Sequence, residues 1–182
     1  MSHSERNGCL QRQPPRAWVS QQFSDLEVVL VRYVARYLQG NVEAARDVVQ
    51  DAFLKLCEQP WPDIEQNVRA WLYRCCRNAA TDFIRREVRM KNAIRDDLEI
   101  NLQADVAQSS PDYQVGNREE LAQVQALIRQ LSLRQQELLR LRLQENLSYR
   151  EIAHVTGLTV TNVGFQLHQA ITTLRQSIRS GM

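Results

Sequence analysis

Amide, hydroxyl and aromatic side chains are concentrated near the C-terminal end of this sequence. On a helix they would share one solvent-facing side, formed by Thr161, Asn162, Gly164, Phe165, Gln166, His168 and Gln169. Amide side chains hydrogen-bond adenine edges in the major groove of DNA, and threonine or phenylalanine contacts thymine methyl groups. Glycine permits close approach of the backbone. These residue types therefore predict a helix that reads base edges.

This candidate reading helix carries very little charge. Residues 158–175 contain no acid and a single full positive charge, Arg175. Phosphate contacts are therefore expected from other places, namely the N-terminal N–H groups of helices and four arginines, Arg134, Arg140, Arg142 and Arg150. A helix with so little charge is expected to bind DNA weakly by itself, and to recognise a sequence only when another molecule holds the DNA.

Arginines are concentrated in the middle of the chain. Residues 69–95 contain eight cations and two acids, whereas residues 96–120 contain seven acids and one cation. Every cation of the chain is arginine except Lys55 and Lys91. The guanidinium fork donates two parallel hydrogen bonds to phosphates and base edges. The pattern favours a second nucleic-acid contact over its alternative, a solvated helix face.

Enzyme, metal and membrane functions find little support in the sequence. Its four cysteines, Cys9, Cys57, Cys75 and Cys76, and its three histidines lack the spacing of a metal site, so buried, reduced thiols are expected. We find no nucleophile–base pair and no phosphate-binding glycine loop, and we expect no catalytic residues and no cofactor. No apolar run is long enough to span a bilayer and the N-terminus does not resemble a signal peptide, which predicts a cytoplasmic protein without membrane insertion.

Apolar residues at helical spacing predict the elements that position these side chains. The first block contains three helices, at residues 25–39, 42–59 and about 64–89. The apolar stripe of the third helix is expected at Val68, Trp71, Leu72, Cys75, Ala79 and Phe83. The second block starts near Arg118, with an apolar stripe up to Leu131 and a second helix in residues 131–143.

Residues 147–170 have the pattern of a helix-turn-helix. Ser148 and Glu151 form a capping box that opens a helix at residues 149–156, and Gly157 provides the turn. The next helix is expected at residues 160–178, with Val163, Leu167, Ala170, Ile171 and Leu174 on its apolar side. A generic two-helix corner inside a core is the alternative.

We therefore predict an all-α protein in which two small helical bundles are joined by a flexible acidic linker. The expected organisation is a polar N-terminal tail at residues 1–22, a first bundle at 23–92, the linker at 93–117 and a second bundle at 118–178.

Three stretches of the sequence together resemble a known family. They are "ARDVVQDAFLKL", "WLYRCCRNAATDFIRRE" and the segment from "LSLRQQELLRLRL" to "HQAITTLR". In this order they are similar to regions 2 and 4 of bacterial sigma factors of the extracytoplasmic-function (ECF) type, members of the sigma-70 family. The resemblance implies a protein that binds the RNA polymerase core and directs promoter-specific initiation, with region 2 melting the −10 element and region 4 recognising the −35 element.

The resemblance also implies roles for individual residues. Polymerase binding falls on Asp47, Val48, Gln50, Asp51 and Phe53, of which Phe53 is expected in the core rather than in contact. Recognition of the −10 element falls on Trp71, Arg74, Arg77, Asn78, Arg85 and Arg86; Asn78 would hold a flipped base, and Trp71 is expected to be a core anchor rather than a stacking platform. Recognition of the −35 element falls on Arg150, Thr161, Asn162, Gly164, Gln166, His168 and Gln169.

The implied partners are the beta-prime clamp helices and beta flap of RNA polymerase, promoter DNA and an anti-sigma factor. The sequence departs from the family pattern at Gly164 and Gln166, where many relatives carry a lysine and an arginine. Fewer phosphate anchors predict a flatter salt dependence of DNA binding. A stand-alone helix-turn-helix regulator, with the first bundle used for dimerisation or sensing, is the alternative function.

Overall fold

The computed structural model describes residues 13–60, 64–92 and 118–180. Within these ranges the regular structure is helical, and the chain divides into two compact units, Met1–Glu99 and Ile100–Met182. The all-α prediction is confirmed for the described residues. The predicted acidic linker at 93–117 lies outside them.

The first unit contains three helices, α1 (Arg16–Tyr37), α2 (Val42–Cys57) and α3 (Val68–Asn92), with a short 3-10 turn at Glu65–Asn67. The turn after α1 has positive φ at Gln39 and Gly40, 54° and 85°. Asn41 then caps α2, because its side chain accepts the backbone N–H of Ala44. This turn brings α2 back along α1, and α3 packs on both.

The first helix begins nine residues earlier than the sequence suggested. We predicted a polar tail up to residue 22, but residues 16–22 belong to α1. Pro15 stands immediately before the helix, where a missing N–H costs nothing. Trp18 is partly buried, and the Phe23 ring meets Phe53 edge-on at 5.0 Å between centroids. Aromatic packing thus extends the buried side of α1 toward its N-terminus, ahead of the aliphatic residues from which the helix was predicted.

The buried side of α3 also differs from the predicted stripe. Val68 and Leu72 are buried as expected, but the structure buries Tyr73, Cys76 and Ala80 in place of Cys75 and Ala79. Helix α3 packs against two helices rather than one, which widens and rotates its buried face. Trp71 and Phe83 are only partly buried.

The same interface determines the state of the thiols. Burial raises the pKa of Cys76 to about 12, and desolvation also raises the pKa of the half-buried Cys75. Cys57 is exposed, which corrects the expectation that it is buried. All three are free thiols, and Cys9 lies outside the described residues.

The second unit contains α4 (Arg118–Arg129), α5 (Leu133–Leu143), α6 (Tyr149–Thr156) and α7 (Val160–Ser180). Capping boxes open two of the helices, at Ser132 with Gln135 for α5 and at Ser148 with Glu151 for α6. Helix α6 ends at Gly157, whose φ of 74° is left-handed. The predicted bounds of α6, its capping box and its glycine turn are all confirmed.

The core of the second unit lies between α5, α6 and α7. Its largest fully buried side chains are Leu138, Leu141, Leu147, Ile152, Val155 and Leu167. Val163, Leu167 and Ala170 of α7 are buried as predicted, while Ile171 and Leu174 are partly exposed. No described helix has both the length and the apolar character needed to cross a membrane.

Candidate nucleic-acid interface

The outward face of α7 begins at an ordered helix N-terminus. Thr159 precedes the helix, and its Oγ1 accepts the backbone N–H of Asn162 at 3.2 Å. With Val163, Leu167 and Ala170 buried on one side, the opposite side shows Thr161, Asn162, Phe165, His168 and Gln169, all exposed. Phe165 lies near the middle of this face and is 62% exposed. We call these five residues the α7 face.

Two of the predicted reading residues lie at the edges of the α7 face. Gly164 and Gln166 are only partly exposed. A Cβ at Gly164 would lie in ordinary contact with the ring of Tyr149, at 3.6 Å. Gly164 thus lies next to the aromatic residue at the start of α6.

Tyr149 and Arg142 form a pair that the sequence interpretation did not find as such. The Arg142 guanidinium lies over the Tyr149 ring, 5.6 Å from its centroid, and donates to the Leu147 carbonyl oxygen at 3.0 Å. Both residues are exposed. This cation–π contact holds the charge of Arg142 on the ring that neighbours Gly164. No sequence pattern predicted this pair, because the helical period relates residues within one helix, whereas Arg142 belongs to α5 and Tyr149 to α6.

Gln169 is joined to another helix. Gln135 of α5 donates from Nε2 to the Gln169 Oε1 at 3.2 Å, although the two residues are 34 positions apart. Arg150 and Arg134 are exposed, and Arg140 is partly buried, with its Nη2 bonded to Gln136 Oε1. Of the −35 residues expected from the sequence, Thr161, Asn162, His168 and Gln169 therefore share one face, while Arg150 lies on α6.

The second candidate surface is the outward side of α3. Trp71, Arg74, Asn78 and Arg85 follow one another at helical spacing opposite the buried residues Tyr73, Cys76 and Ala80. We call these four residues the α3 face. Trp71 was expected in the core and is partly buried, on the same side of α3 as Arg74 and Asn78.

The remaining basic residues of α3 lie beside this face. Arg77 is partly buried and Arg86 is exposed, so both border the α3 face rather than stand within it. Arg85 forms an exposed ion pair with Asp82, 3.5 Å from Nη1 to Oδ1. Such a pair adds about 1 kcal/mol of stability or less, so it leaves Arg85 able to exchange Asp82 for a phosphate.

A third surface lies on the outward side of α2. Asp47, Gln50 and Asp51 are exposed there, whereas Val48 and Phe53 are buried at 9% and 5% exposure. Val48 and Phe53 therefore support this surface from beneath and do not belong to it. Leu54 is 65% exposed and completes the i, i+3, i+4, i+7 pattern that starts at Asp47. We call Asp47, Gln50, Asp51 and Leu54 the α2 face.

The sequence interpretation missed Leu54, although its signal was present. A leucine on the polar side of an amphipathic helix departs from the period that the buried residues of α2 follow. The described residues contain no cluster of metal-ligating side chains. The side chains of the three faces are arginines, carboxylates, amides, a hydroxyl, an imidazole, and aromatic and aliphatic groups.

Two family profiles match this chain. The profile for Sigma-70 region 2 matches residues 27–90, which contain the α2 and α3 faces. The profile for Sigma-70, region 4 matches residues 121–174, which contain the α7 face. Together they cover well over half of the chain. No curated protein sequence gives a significant match.

Solved structures with a similar fold include the sigma factor RpoE of Bartonella quintana, in a co-crystal structure with the anti-sigma factor NepR. It is 19% identical to this chain, has a TM-score of 0.60, and the match covers 88% of this chain and 96% of RpoE. An RsbN–BldN complex also matches, at 20% identity and a TM-score of 0.30, over 88% of this chain and 92% of the other. At these identities the similarity to RpoE shows the fold alone.

Proposed function

This chain belongs to the sigma-70 family of RNA polymerase sigma factors, in its extracytoplasmic-function type, and we propose that its three faces divide the work of promoter-specific initiation. Sigma factors bind RNA polymerase and promoter DNA and are not themselves enzymes. The observation that supports this division is the contrast in side chains: an acidic and apolar α2 face, an arginine-rich α3 face and a nearly uncharged α7 face.

The α2 face is the proposed docking surface for the polymerase core, on the beta-prime clamp helices. Exposed leucines surrounded by polar side chains are suited to protein interfaces, where a buried apolar centre excludes water and the charged rim guides association. Leu54 would supply this centre, and Asp47 and Asp51 the acidic rim. Val48 and Phe53 hold the helix in place from the core side.

A substitution at Leu54 tests this assignment. Leu54→Ala should weaken binding to the polymerase core by about tenfold or more, because a buried anchor is lost, while the melting temperature of the free protein stays the same. Val28→Ala is the matched control, since Val28 of α1 is exposed to the same degree, 64%. Equal losses for the two variants would contradict docking through the α2 face.

The α3 face is the proposed contact to the −10 element. Arg74, Arg77, Arg85 and Arg86 would follow the phosphates of the separated strand, and Asn78 would bond the exposed edge of a flipped base. Flipping costs a few kcal/mol, which such a pocket offsets. Trp71 lies two turns from Asn78 on the same side of α3, and its partial exposure supports base stacking there.

The α7 face is the proposed contact to the −35 element, in the major groove. Asn162 and Gln169 would read base edges, with Thr161, Phe165 and His168 beside them. Phosphate contacts would come from Arg150 and from the Arg142–Tyr149 pair. Because the α7 face has little charge, it would act only when the polymerase holds the DNA, with the second unit on the beta flap.

Run-off transcription with purified bacterial RNA polymerase core tests the whole function. Genomic fragments should give transcripts with defined starts when the protein is present and none when it is absent. The alternative is a stand-alone helix-turn-helix regulator, which predicts tight binding to a specific duplex without polymerase. Specific duplex binding without any effect on transcript starts would favour the regulator and contradict a sigma factor.

An anti-sigma factor is a further proposed partner, in the cytoplasm where the polymerase works. Support comes from the fold shared with RpoE, whose structure contains the anti-sigma factor NepR. An inhibitor of this kind should compete with the polymerase core for the α2 face. Co-expression of a candidate inhibitor should abolish run-off transcription, and Leu54→Ala should weaken inhibitor binding.

A further inference from the structure

We propose that Gln135 fixes the orientation of the Gln169 amide and thereby decides which atom of Gln169 faces promoter DNA. The proposal deepens the −35 contact and rests on it. Gln135 belongs to α5 and is only partly exposed, so it acts as a positioning residue for Gln169, which belongs to the exposed α7 face. The ligand chemistry at stake is a hydrogen-bond acceptor in the upstream duplex.

Gln135 lies between two partners. Its Oε1 accepts the backbone N–H of Ser132 at 3.2 Å, as one half of the capping box of α5. Its Nε2 donates to the Gln169 Oε1, also at 3.2 Å. A continuous chain of hydrogen bonds therefore runs from the first turn of α5 to the third turn of α7.

The direction of this chain is fixed by the main chain. A backbone N–H can only donate, so the Gln135 atom that faces Ser132 must be the oxygen. The nitrogen of the same amide then faces Gln169, and since it can only donate, Gln169 must turn its own oxygen toward α5. One main-chain N–H thus orients two side-chain amides, which an isolated glutamine pair could not do.

The consequence is that Gln169 presents a hydrogen-bond donor, and not an acceptor, at the surface. With Oε1 turned toward α5, Gln169 presents Nε2 at its outer end. A bidentate contact with adenine needs both amide atoms turned outward. The oriented amide instead suits an acceptor, either a base edge such as guanine O6/N7 or thymine O4, or a phosphate oxygen.

The experiment uses the full chain assembled with RNA polymerase core and a promoter library randomised in the upstream region. Gln135→Glu keeps an acceptor for the Ser132 N–H but offers only an oxygen to Gln169. The Gln169 amide must then rotate, so that its Nε2 donates to the carboxylate at position 135 and its Oε1 faces DNA. At one upstream position, selection should change by about tenfold, from a base that presents an acceptor to one that presents a donor.

A second variant produces the same change without touching the capping box. Gln169→Glu accepts from Gln135 with one oxygen and presents the other, so it should shift selection in the same direction. Gln123→Glu on α4 adds the same charge at an exposed glutamine, and it should select the wild-type sequence. In a Gln169→Ala background, Gln135→Glu should have no effect on selection.

The outcomes separate the two sources of the acceptor. If the acceptor is a base edge, Gln135→Glu should alter the selected sequence. If the acceptor is a phosphate, Gln135→Glu should leave selection unchanged and lower the affinity for all sequences alike, and this loss should disappear in a Gln169→Ala background. Unchanged selection together with unchanged affinity would overturn the proposal, as would an effect of Gln135→Glu that persists without Gln169. If the wild-type assembly initiates at no defined promoter, the sigma function itself fails, and this result is distinct from both.

Discussion

The α3 face and the α7 face, the two proposed contacts to DNA, differ in the chemistry of their side chains. On α3, Arg74 and Arg85 flank Asn78, Trp71 precedes Arg74, and further arginines lie alongside. On α7, amides, a hydroxyl, an imidazole and Phe165 are exposed, and none of the five residues of this face is an arginine or a lysine. One face can bind phosphates strongly, and the other can discriminate bases.

This difference indicates how binding energy is divided. Phosphate contacts supply salt-dependent affinity without sequence information, whereas base-edge contacts supply the information. The first unit would therefore contribute more of the affinity for DNA. The α7 face would add sequence specificity only after the polymerase has positioned it at the upstream duplex. Three predictions test this division, in order of decreasing effect, and a fourth tests the stability of the core beneath the α3 face.

Removing two cations from the α3 face should have the largest effect. Arg74→Ala combined with Arg85→Ala removes two phosphate contacts, which lowers promoter affinity by on the order of tenfold at 0.1 M salt. The slope of log affinity against log salt should become shallower by about 1.4, at ~0.7 for each single-strand contact. Filter binding of the polymerase assembly across a salt series measures both quantities.

The matched control for this pair is Arg16→Ala with Arg32→Ala, two exposed arginines of α1 outside the proposed faces. The control should leave the slope unchanged. An equally shallow slope for the control would mean that overall charge, and not the α3 face, holds the DNA.

Asn78→Ala should reduce opening of the promoter by about tenfold, because loss of one or two hydrogen bonds to a flipped base costs ~1–2 kcal/mol. Binding to the polymerase core and the salt slope should stay the same. Permanganate footprinting of the melted region and core-binding titration measure the two steps separately. Equal losses in both would argue against a base pocket at Asn78.

Adding charge to the α7 face should reduce the contrast between the two faces. His168→Arg places a cation at an exposed position, so affinity for upstream DNA should rise a few-fold and the salt slope should steepen by about 0.9. Selectivity for the −35 sequence should fall at the same time, because the added affinity carries no sequence information. A gain in affinity with an unchanged salt slope would show that the arginine does not contact a phosphate.

The last prediction concerns the stability of the core beneath the α3 face and not the contact with DNA. The pKa of Cys76 is raised in the folded state from 9.0 to about 12, so this thiol contributes stability below pH 9 that is lost as pH rises toward 12. Between these values the free energy of unfolding should fall by up to ~1.4 kcal/mol per pH unit on account of Cys76. Urea unfolding of the wild type and of Cys76→Ser across this range should differ in slope; parallel slopes would contradict the assignment.

Local signals in the sequence predicted the helix-turn-helix almost completely. The bounds of α6 follow from Ser148, Glu151 and Gly157, because capping boxes and left-handed turns depend on residues a few positions apart. The outward position of Asn162, His168 and Gln169 followed from the helical period. The two-bundle, all-α organisation followed equally from periodicity, since each amphipathic helix must bury one face.

Predictions were wrong where a third element entered the packing. Residues 16–22 read as a polar tail, but Phe23 reaches Phe53 on another helix and stabilises the longer α1. Trp71 was expected to be an anchor in the core. The structure uses Tyr73 instead, whose ring lies 4.9 Å from that of Tyr33. A one-dimensional period cannot tell which of two neighbouring helices a side chain will meet.

The sequence by itself predicted the two helical bundles, the cap and glycine turn of the helix-turn-helix, the charge contrast between residues 69–95 and 96–120, and the family. Only the tertiary structure decided that the Tyr149 ring lies next to Gly164 and under Arg142, and that Gln135 donates to Gln169. The physical reason is the range of the forces involved. Helix formation and capping act within about one turn, whereas packing and hydrogen bonds between helices join residues whose separation along the chain has no fixed relation to their distance in space.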